Sequence, residues 1–297
     1  MKPWLHAFRL RTLPLALSGI LVGSALAAYN GHFRGPVLAL ALLTAVLLQV
    51  LSNLANDLGD HEHGTDNADR VGPQRAVQSG AIAPAAMKRA MVICGLLALA
   101  AGTALIVTAL GLSVRTLVFF GIGLLAIGAA VKYTYGRNPY GYAGLGDASV
   151  LLFFGFVGVA GTYYLHTATF TWPVLLPALA FGLLATGVLN TNNMRDRVND
   201  AASGKHTLAV RLGAENAKNY HTVLIGTAFF ALVLFTAWFT PHKWVWLFLL
   251  GSVPVLIHAV RVQANTDPKL LDPELKRLAL GTLLTAVTFS IGLWLSA

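Results

Sequence analysis

The densest chemistry in this 297-residue chain lies in two short segments. The first reads Asn53-Leu-Ala-Asn56-Asp57-Leu-Gly-Asp60-His-Glu-His-Gly64-Thr-Asp66, and the second reads Asn190-Thr-Asn192-Asn193-Met-Arg195-Asp196-Arg-Val-Asn-Asp200-Ala-Ala-Ser-Gly204-Lys205. Asn53 and Asp57 stand four residues apart, as do Asn56 and Asp60, and Asn192, Asp196 and Asp200 repeat that step, so each set shares one helix face. Like charges at this spacing destabilise a helix, and carboxylates near its C-terminus oppose its dipole. Such a stripe calls for a compensating cation. Hard divalent cations take oxygen ligands, and Mg²⁺ is typically held by one or two carboxylates together with substrate phosphates. His61 and His63 flank the first stripe, but no cysteine accompanies them, and the carboxylate field favours a hard metal over zinc. They read as solvated loop residues.

Basic side chains are interleaved with the acids: Arg70, Arg75, Lys132, Arg137, Lys205 and Arg211. With a divalent cation they compose a phosphate clamp, arginine gripping oxygens in a fork and lysine acting as a point charge. Arg70, Lys205 and Arg211, with Asn53, Asn56 and Asn192 on the stripes, are the candidates for binding a diphosphate. A third segment, Lys132-Tyr133-Thr-Tyr135-Gly-Arg137-Asn138-Pro139-Tyr140-Gly-Tyr142-Ala-Gly-Leu-Gly146-Asp147, is rich in tyrosine. An interfacial aromatic belt is one reading of it. Against that, Asp147 leads straight into an apolar run, where a carboxylate is costly and usually functional.

The elements that must position these groups are membrane helices. The chain is 56% hydrophobic and only 11% charged, with a mean hydropathy of +0.66, whereas soluble domains carry about 25% charged residues. Nine apolar runs are long enough to cross a hydrocarbon core of ~30 Å: 12–29, 36–57, 86–110, 115–135, 143–165, 171–195, 218–240, 243–261 and 278–296. The first, with Lys2, Arg9 and Arg11 ahead of it and small residues Ser24 to Ala28 at its end, also has the form of a secretory signal. Its direct continuation into further spans favours a retained helix. Pro254 interrupts the eighth. Cys94, the single cysteine, sits in an apolar run and reads as a small hydrophobe. The expectation is an all-α membrane protein of about nine helices around a central cavity. It forms one domain over 1–297, with active-site loops near 57–85, 133–147 and 195–217.

When alternate loops are assigned to alternate sides, the charges separate. Of the 21 Lys and Arg, all but Arg34, Arg115 and Lys243 fall on one side, with all 12 Asp and Glu. The positive-inside rule makes that side, and the N-terminus, cytoplasmic. The net charge of +9 is therefore topological and does not point to nucleic acid. Orientation depends little on acids, so the one-sided carboxylates need another reason. The opposite loops are too short to build anything. The two acidic segments also resemble each other: an Asn-rich helix end, a pair of Asp, Gly64 or Gly204 four residues after the last, then Arg70 or Arg211. This internal repeat puts spans two and six in equivalent places in two four-span halves, their Asp clusters facing each other across the cavity.

At these residues the sequence resembles the UbiA superfamily of intramembrane prenyltransferases. The likeness rests on Asn56-Asp57-x-x-Asp60 and Asp196-x-x-x-Asp200. It extends to Arg11-Thr-Leu-Pro14, Asn53-Leu-Ala-Asn56-Asp57, Asp69-Arg70-Val-Gly-Pro73, Tyr140-Gly-Tyr-Ala-Gly-Leu-Gly-Asp147, Asn192-Asn193-Met-Arg195-Asp196 and Gly204-Lys205-His-Thr-Leu-Ala-Val-Arg211-Leu-Gly213. Within the superfamily these strings look most like the branch that prenylates 1,4-dihydroxy-2-naphthoate in menaquinone synthesis. The resemblance implies Asp57, Asp60, Asp196 and Asp200 as Mg²⁺ ligands against a polyprenyl diphosphate. Where the superfamily often has a third Asp, four residues after the second, this chain has Gly64, and Asp66 stands two positions on as its substitute. Arg70, Lys205 and Arg137 would neutralise the leaving diphosphate, and Asp147 and Tyr133 would orient the hydroxynaphthoate or take a proton. The implied partners are the two substrates and the lipid bilayer, with the site at the cytoplasmic face of the cell (inner) membrane. Two alternatives stay open: another aromatic acceptor such as 4-hydroxybenzoate, and, in a different class, a cation-coupled secondary transporter.

Overall fold

A computed structural model describes residues 2–67 and 70–297. Asp69, which opens one of the resembling strings, lies outside the described residues. Among those described there is no strand, and nine helices are long and apolar enough to cross a membrane. They are α1 (Lys2–Tyr29), α2 (Gly35–Glu62), α3 (Pro84–Leu110), α4 (Val114–Lys132), α5 (Gly146–Thr167), α6 (Trp172–Ala202), α7 (Leu208–Phe239), α8 (Lys243–Ala264) and α9 (Pro268–Trp294).

Several helices outrun their apolar stretches. The expected span at 218–240 begins ten residues earlier, at Leu208, where the Thr207 hydroxyl accepts the amide of Val210 as an N-cap. The expected span at 278–296 begins at Pro268. The added turns carry Arg211 and Glu215 in α7 and Asp272, Glu274 and Lys276 in α9, so a hydropathy window ends where the helix does not. The same extension carries α2 to Glu62 and α6 to Ala202. Asp57, Asp60, Asp196 and Asp200 therefore stand on the last turns of two helices, not in loops.

The chain closes on itself. α1 packs against α2, α5 and α9, α6 packs against α5, α7 and α9, and α2, α3 and α4 pack together beside them. The first span is thus a central wall of the bundle. Its close fit depends on glycine: a Cβ at Gly19 would stand 2.8 Å from the Phe154 carbonyl oxygen, and one at Gly23 2.4 Å from that of Val159. On the other side, a Cβ at Gly155 would come within 2.5 Å of the Ala178 carbonyl of α6. Wedged between α1 and α6, residues Leu151–Gly161 of α5 are wound as a π-helix. Wide turns of this kind are rare and often mark functional sites. Here the stretch presents Phe153, Phe154, Val157 and Gly158 to the central cavity. Pro254 lies within α8, where Gly281 of α9 leaves room for Pro254 and Val255.

Candidate active site

The internal repeat read from sequence has a structural counterpart. Both α2 and α6 end in the same closure: the Gly64 amide donates to the His61 carbonyl and the Thr65 amide to that of Asp60, while Gly204 donates to Ala201 and Lys205 to Asp200. This is the Schellman arrangement, which needs a left-handed residue after the helix. Gly64 and Gly204 supply it, each at φ +73°. Asp60 and Asp200 are thereby equivalent, each two residues before the last residue of its helix.

The two ends meet at one side chain. The buried Lys205 ammonium stands 3.4 Å from Asp60 and 3.8 Å from Asp200, and 5.2 Å above the Tyr142 ring. The Tyr142 hydroxyl donates to Asp60 at 2.9 Å and pairs with the Thr65 hydroxyl at 2.6 Å. Asn199 of α6 donates to the Thr65 carbonyl at 2.8 Å, tying α6 to the loop that follows α2. Burial works against the charge of Lys205, but the Asp60 and Asp200 carboxylates outweigh it and raise its pKa. Burial and the Asp60 charge raise the Tyr142 phenol, so it stays a donor.

The remaining acids are also engaged. Asp66 lies 2.9 Å from Arg70 and 3.6 Å from Arg75. Its carboxyl is nevertheless pushed up to about 7, by burial first and then by the Asp60 charge. Arg195, with a side chain 0% exposed, grips both oxygens of Asp196 at 2.9 and 2.6 Å, and also reaches Asn192 at 3.0 Å and Asp272 at 2.5 Å. Asp57 receives the amides of Ala76 and Val77 at 3.2 and 3.1 Å, which fastens the 63–83 connection to α2. The Asn56 oxygen accepts from Arg9 and Arg75, both at 2.8 Å. Asn53 donates to the Phe8 carbonyl and the Thr12 hydroxyl.

These groups form one end of a cavity of about 300 Å³, at the lower limit of ligand pockets (~300–1,000 Å³). Of the residues expected at the site, Asn53, Asn56, Asp60, Arg70, Tyr133, Asn192, Asp196, Asp200 and Lys205 line it. Asp57, Asp66, Arg137, Asp147 and Arg211 are not among the lining residues. Asp147 is buried and accepts from the Tyr220 hydroxyl at 3.3 Å. Arg211 joins two connections, donating to the carbonyls of His206 and Ala143. Arg137 is exposed, its carbonyl taken by Lys132. Tyr133 packs edge-on to Tyr140 at 5.5 Å, and its phenol is held well above the ordinary value by burial, then by the charges of Asp147 and Asp60.

Sequence reasoning missed several lining residues: Arg9, Gln49, Thr65, Asn193 and Lys276. Asn199 also lines the cavity, and its spacing of three from Asp196 would have placed it on the acidic face. Arg9 is held in the left-handed region (φ 48°, ψ 58°), a strained state for a non-glycine residue that occurs preferentially at functional sites. Beyond the polar end the walls are apolar, with Leu48, Phe153, Phe154, Val157, Val188 and Leu275 among the lining residues.

The donor set suits a hard cation. The oxygens are carboxylate and amide, and Asp200 Oδ2 is buried without a hydrogen-bond partner. Among the described residues no three His, Cys, Asp or Glu side chains converge to hold a metal. A cation here therefore draws on one or two carboxylates and the substrate's own oxygens, which is the habit of Mg²⁺. The exposed His61 and His63 gather no zinc-type set among the described residues.

Fold and cavity together define a class: a multi-pass membrane protein whose pocket pairs an ionic head with an apolar body. The chain belongs to the UbiA prenyltransferase family, whose profile matches residues 16–272. It is 47% identical to the 1,4-dihydroxy-2-naphthoate octaprenyltransferase of Escherichia coli strain K12 over 296 residues, covering 99% of this chain and 96% of that one. It is 45% identical to the enzyme of the same name from Haemophilus influenzae, with the same coverage. Its fold is similar to that of a UbiA homolog from Archaeoglobus fulgidus bound to GPP and Mg²⁺, with a TM-score of 0.57 at 17% identity over 97% of this chain and 99% of that one.

Proposed function

We propose that this protein transfers a polyprenyl group from a polyprenyl diphosphate to 1,4-dihydroxy-2-naphthoate, releasing diphosphate and CO₂ and giving a demethylmenaquinol. One observation carries the reading: a single cavity joins an ionic end, built where Asp60 and Asp200 meet at Lys205, to apolar walls. That is the shape and polarity of a prenyl diphosphate. The names of the relatives supply the acceptor, and the homolog holding GPP and Mg²⁺ supports the metal and donor classes.

In this proposal the C–O bond of the donor breaks and its electron pair leaves with the diphosphate. The allylic carbocation is attacked by the electron-rich ring, whose carboxylate departs as CO₂. One or two of Asp60, Asp196 and Asp200 at a time would hold Mg²⁺ together with oxygens of the diphosphate, with Asp57 fixing the loop that delivers Arg75 and Asp66 pairing with Arg70. Mg²⁺ bound there supplies charge neutralisation to the leaving group. Arg70 and Lys205 bind the same oxygens, Lys205 exchanging its carboxylate partners for phosphate, while Asn53, Asn56 and Asn192 orient them. Tyr133, kept protonated, orients the acceptor as a hydrogen-bond donor, and Asp147 acts behind it. Arg137 and Arg211 contribute positive potential from the rim. The segregation of charge supports a cytoplasmic N-terminus and a site at the cytoplasmic face of the inner membrane.

The test is an acceptor panel with labelled prenyl diphosphate and the purified protein, with and without Mg²⁺. Product should form with dihydroxynaphthoate and disappear on chelation. Product with 4-hydroxybenzoate alone, or undiminished turnover in excess EDTA, would overturn the reading.

A further inference from the structure

Six cationic side chains line the cavity: Arg9, Arg11, Arg70, Arg75, Lys205 and Lys276. Five are committed. Arg9 donates to Asn56, Arg11 faces Asp272 at 3.8 Å, Arg70 pairs with Asp66, Arg75 with Asn56 and Asp66, and Lys205 with Asp60 and Asp200. Lys276 alone among the described lining cations has no acidic, amide or carbonyl partner. Its natural helix partner would be Asp272, one turn earlier on α9, in the favourable order of acid before base. Arg195 holds that carboxylate through Oδ1 at 2.5 Å, and Arg11 faces the same oxygen at 3.8 Å. Lys276 is thus left as an exposed ammonium at the cavity wall.

Its setting differs from that of the other cations. Arg9, Arg70, Arg75 and Lys205 pair with groups of α2, α6 or the connection after α2, whereas Lys276 stands on α9, which packs against α1, and the cavity lining from these two helices includes the apolar Leu15, Ala16, Leu275 and Ala279. A small apolar wall with one unpaired positive charge matches a flat aromatic ring bearing a single carboxylate. It does not match a diphosphate, which needs several cations and a metal.

We infer that Lys276 binds the carboxylate of the aromatic acceptor and selects carboxylated over uncarboxylated rings. This rests on the acceptor class proposed above. The contact is made with the ground-state acceptor and is released as the carboxylate leaves, so it acts chiefly on acceptor KM.

The test uses the full-length protein in nanodiscs, with initial rates measured against each substrate at saturating levels of the other. Lys276→Gln should raise the KM for dihydroxynaphthoate by roughly tenfold, the loss of one charge-assisted contact, and leave the KM for prenyl diphosphate unchanged. Lys276→Glu should weaken acceptor binding further, and Lys276→Arg should restore it. Inhibition by 1-hydroxy-2-naphthoate should weaken in Lys276→Gln, while inhibition by 1-naphthol should not. An unchanged acceptor KM, a rise confined to the prenyl diphosphate, or equal loss of both inhibitors would overturn the inference. If the wild-type protein does not turn over dihydroxynaphthoate, the functional reading fails. Thermal-shift titration with the two naphthols then still decides whether Lys276 reads a carboxylate.

Discussion

Arg195 offers the sharpest test of how the site is held. It adjoins Asp196 in sequence, yet its guanidinium folds back onto both oxygens of that carboxylate and reaches Asn192 and Asp272 as well. Arg195→Met keeps the volume and removes every one of these bonds. Asp196 would retain only Arg70, at 3.9 Å. Removing one partner of a buried pair typically costs about 3–5 kcal/mol. The Asp272 side chain is 36% exposed and regains water, so its share is small. That leaves roughly 3 kcal/mol, from the low end of the buried-pair range, and a fall in thermal midpoint on the order of 5–10 °C in detergent. Asp196 would also lose its fixed orientation, lowering prenyl transfer at least in proportion. Arg195→Lys should rescue little, because a lysine cannot make the two-pronged grip. Asp272→Asn should cost about 1 kcal/mol, because the partly exposed side chain keeps water and an acceptor oxygen for Arg195. Differential scanning fluorimetry with parallel rate measurements reads all three. Wild-type stability and rate in Arg195→Met, or full rescue by lysine, would refute the assignment.

The glycine-dependent contacts make two further expectations. Gly155→Ala places a Cβ 2.5 Å from the Ala178 carbonyl oxygen, where only backbone can give way; it should cost about 1–3 kcal/mol, seen as a lower midpoint and poorer yield of folded protein. Gly64→Ala and Gly204→Ala each force a left-handed residue (φ +73°) to carry a side chain, with no steric neighbour within 4 Å. Each should lose roughly 1–2 kcal/mol from backbone strain alone, and similar losses at the two sites would bear out their equivalence in the repeat.

What could be read in advance, and what could not, divides along a physical line. The four-residue spacing of Asn56–Asp60 and of Asn192–Asp196–Asp200 depends only on local helical geometry, so the acidic faces and the glycine closures were legible. Partners across the bundle were not. Lys205 and Asp60 are 145 residues apart, and although Lys205 was readable as a diphosphate ligand, nothing local shows that it bridges Asp60 and Asp200. Arg195 looked like one more charge that sets topology, and its fourth contact, to Asp272, exists only because α9 stands beside α6. Asp57 occupies the expected position on α2, but its oxygens are claimed by amides of a connection whose path no periodicity encodes. The π-helical turns of α5 lie against α1 and α6, at close approaches made by Gly19 and Gly23 of α1 and Gly155 of α5, which no local periodicity reports. Lys276 lies outside every motif, and what singles it out is a partner lost: Asp272, four residues before it, is held by a side chain from another helix. Identifying an unpaired cation therefore required knowing where all the paired ones had gone.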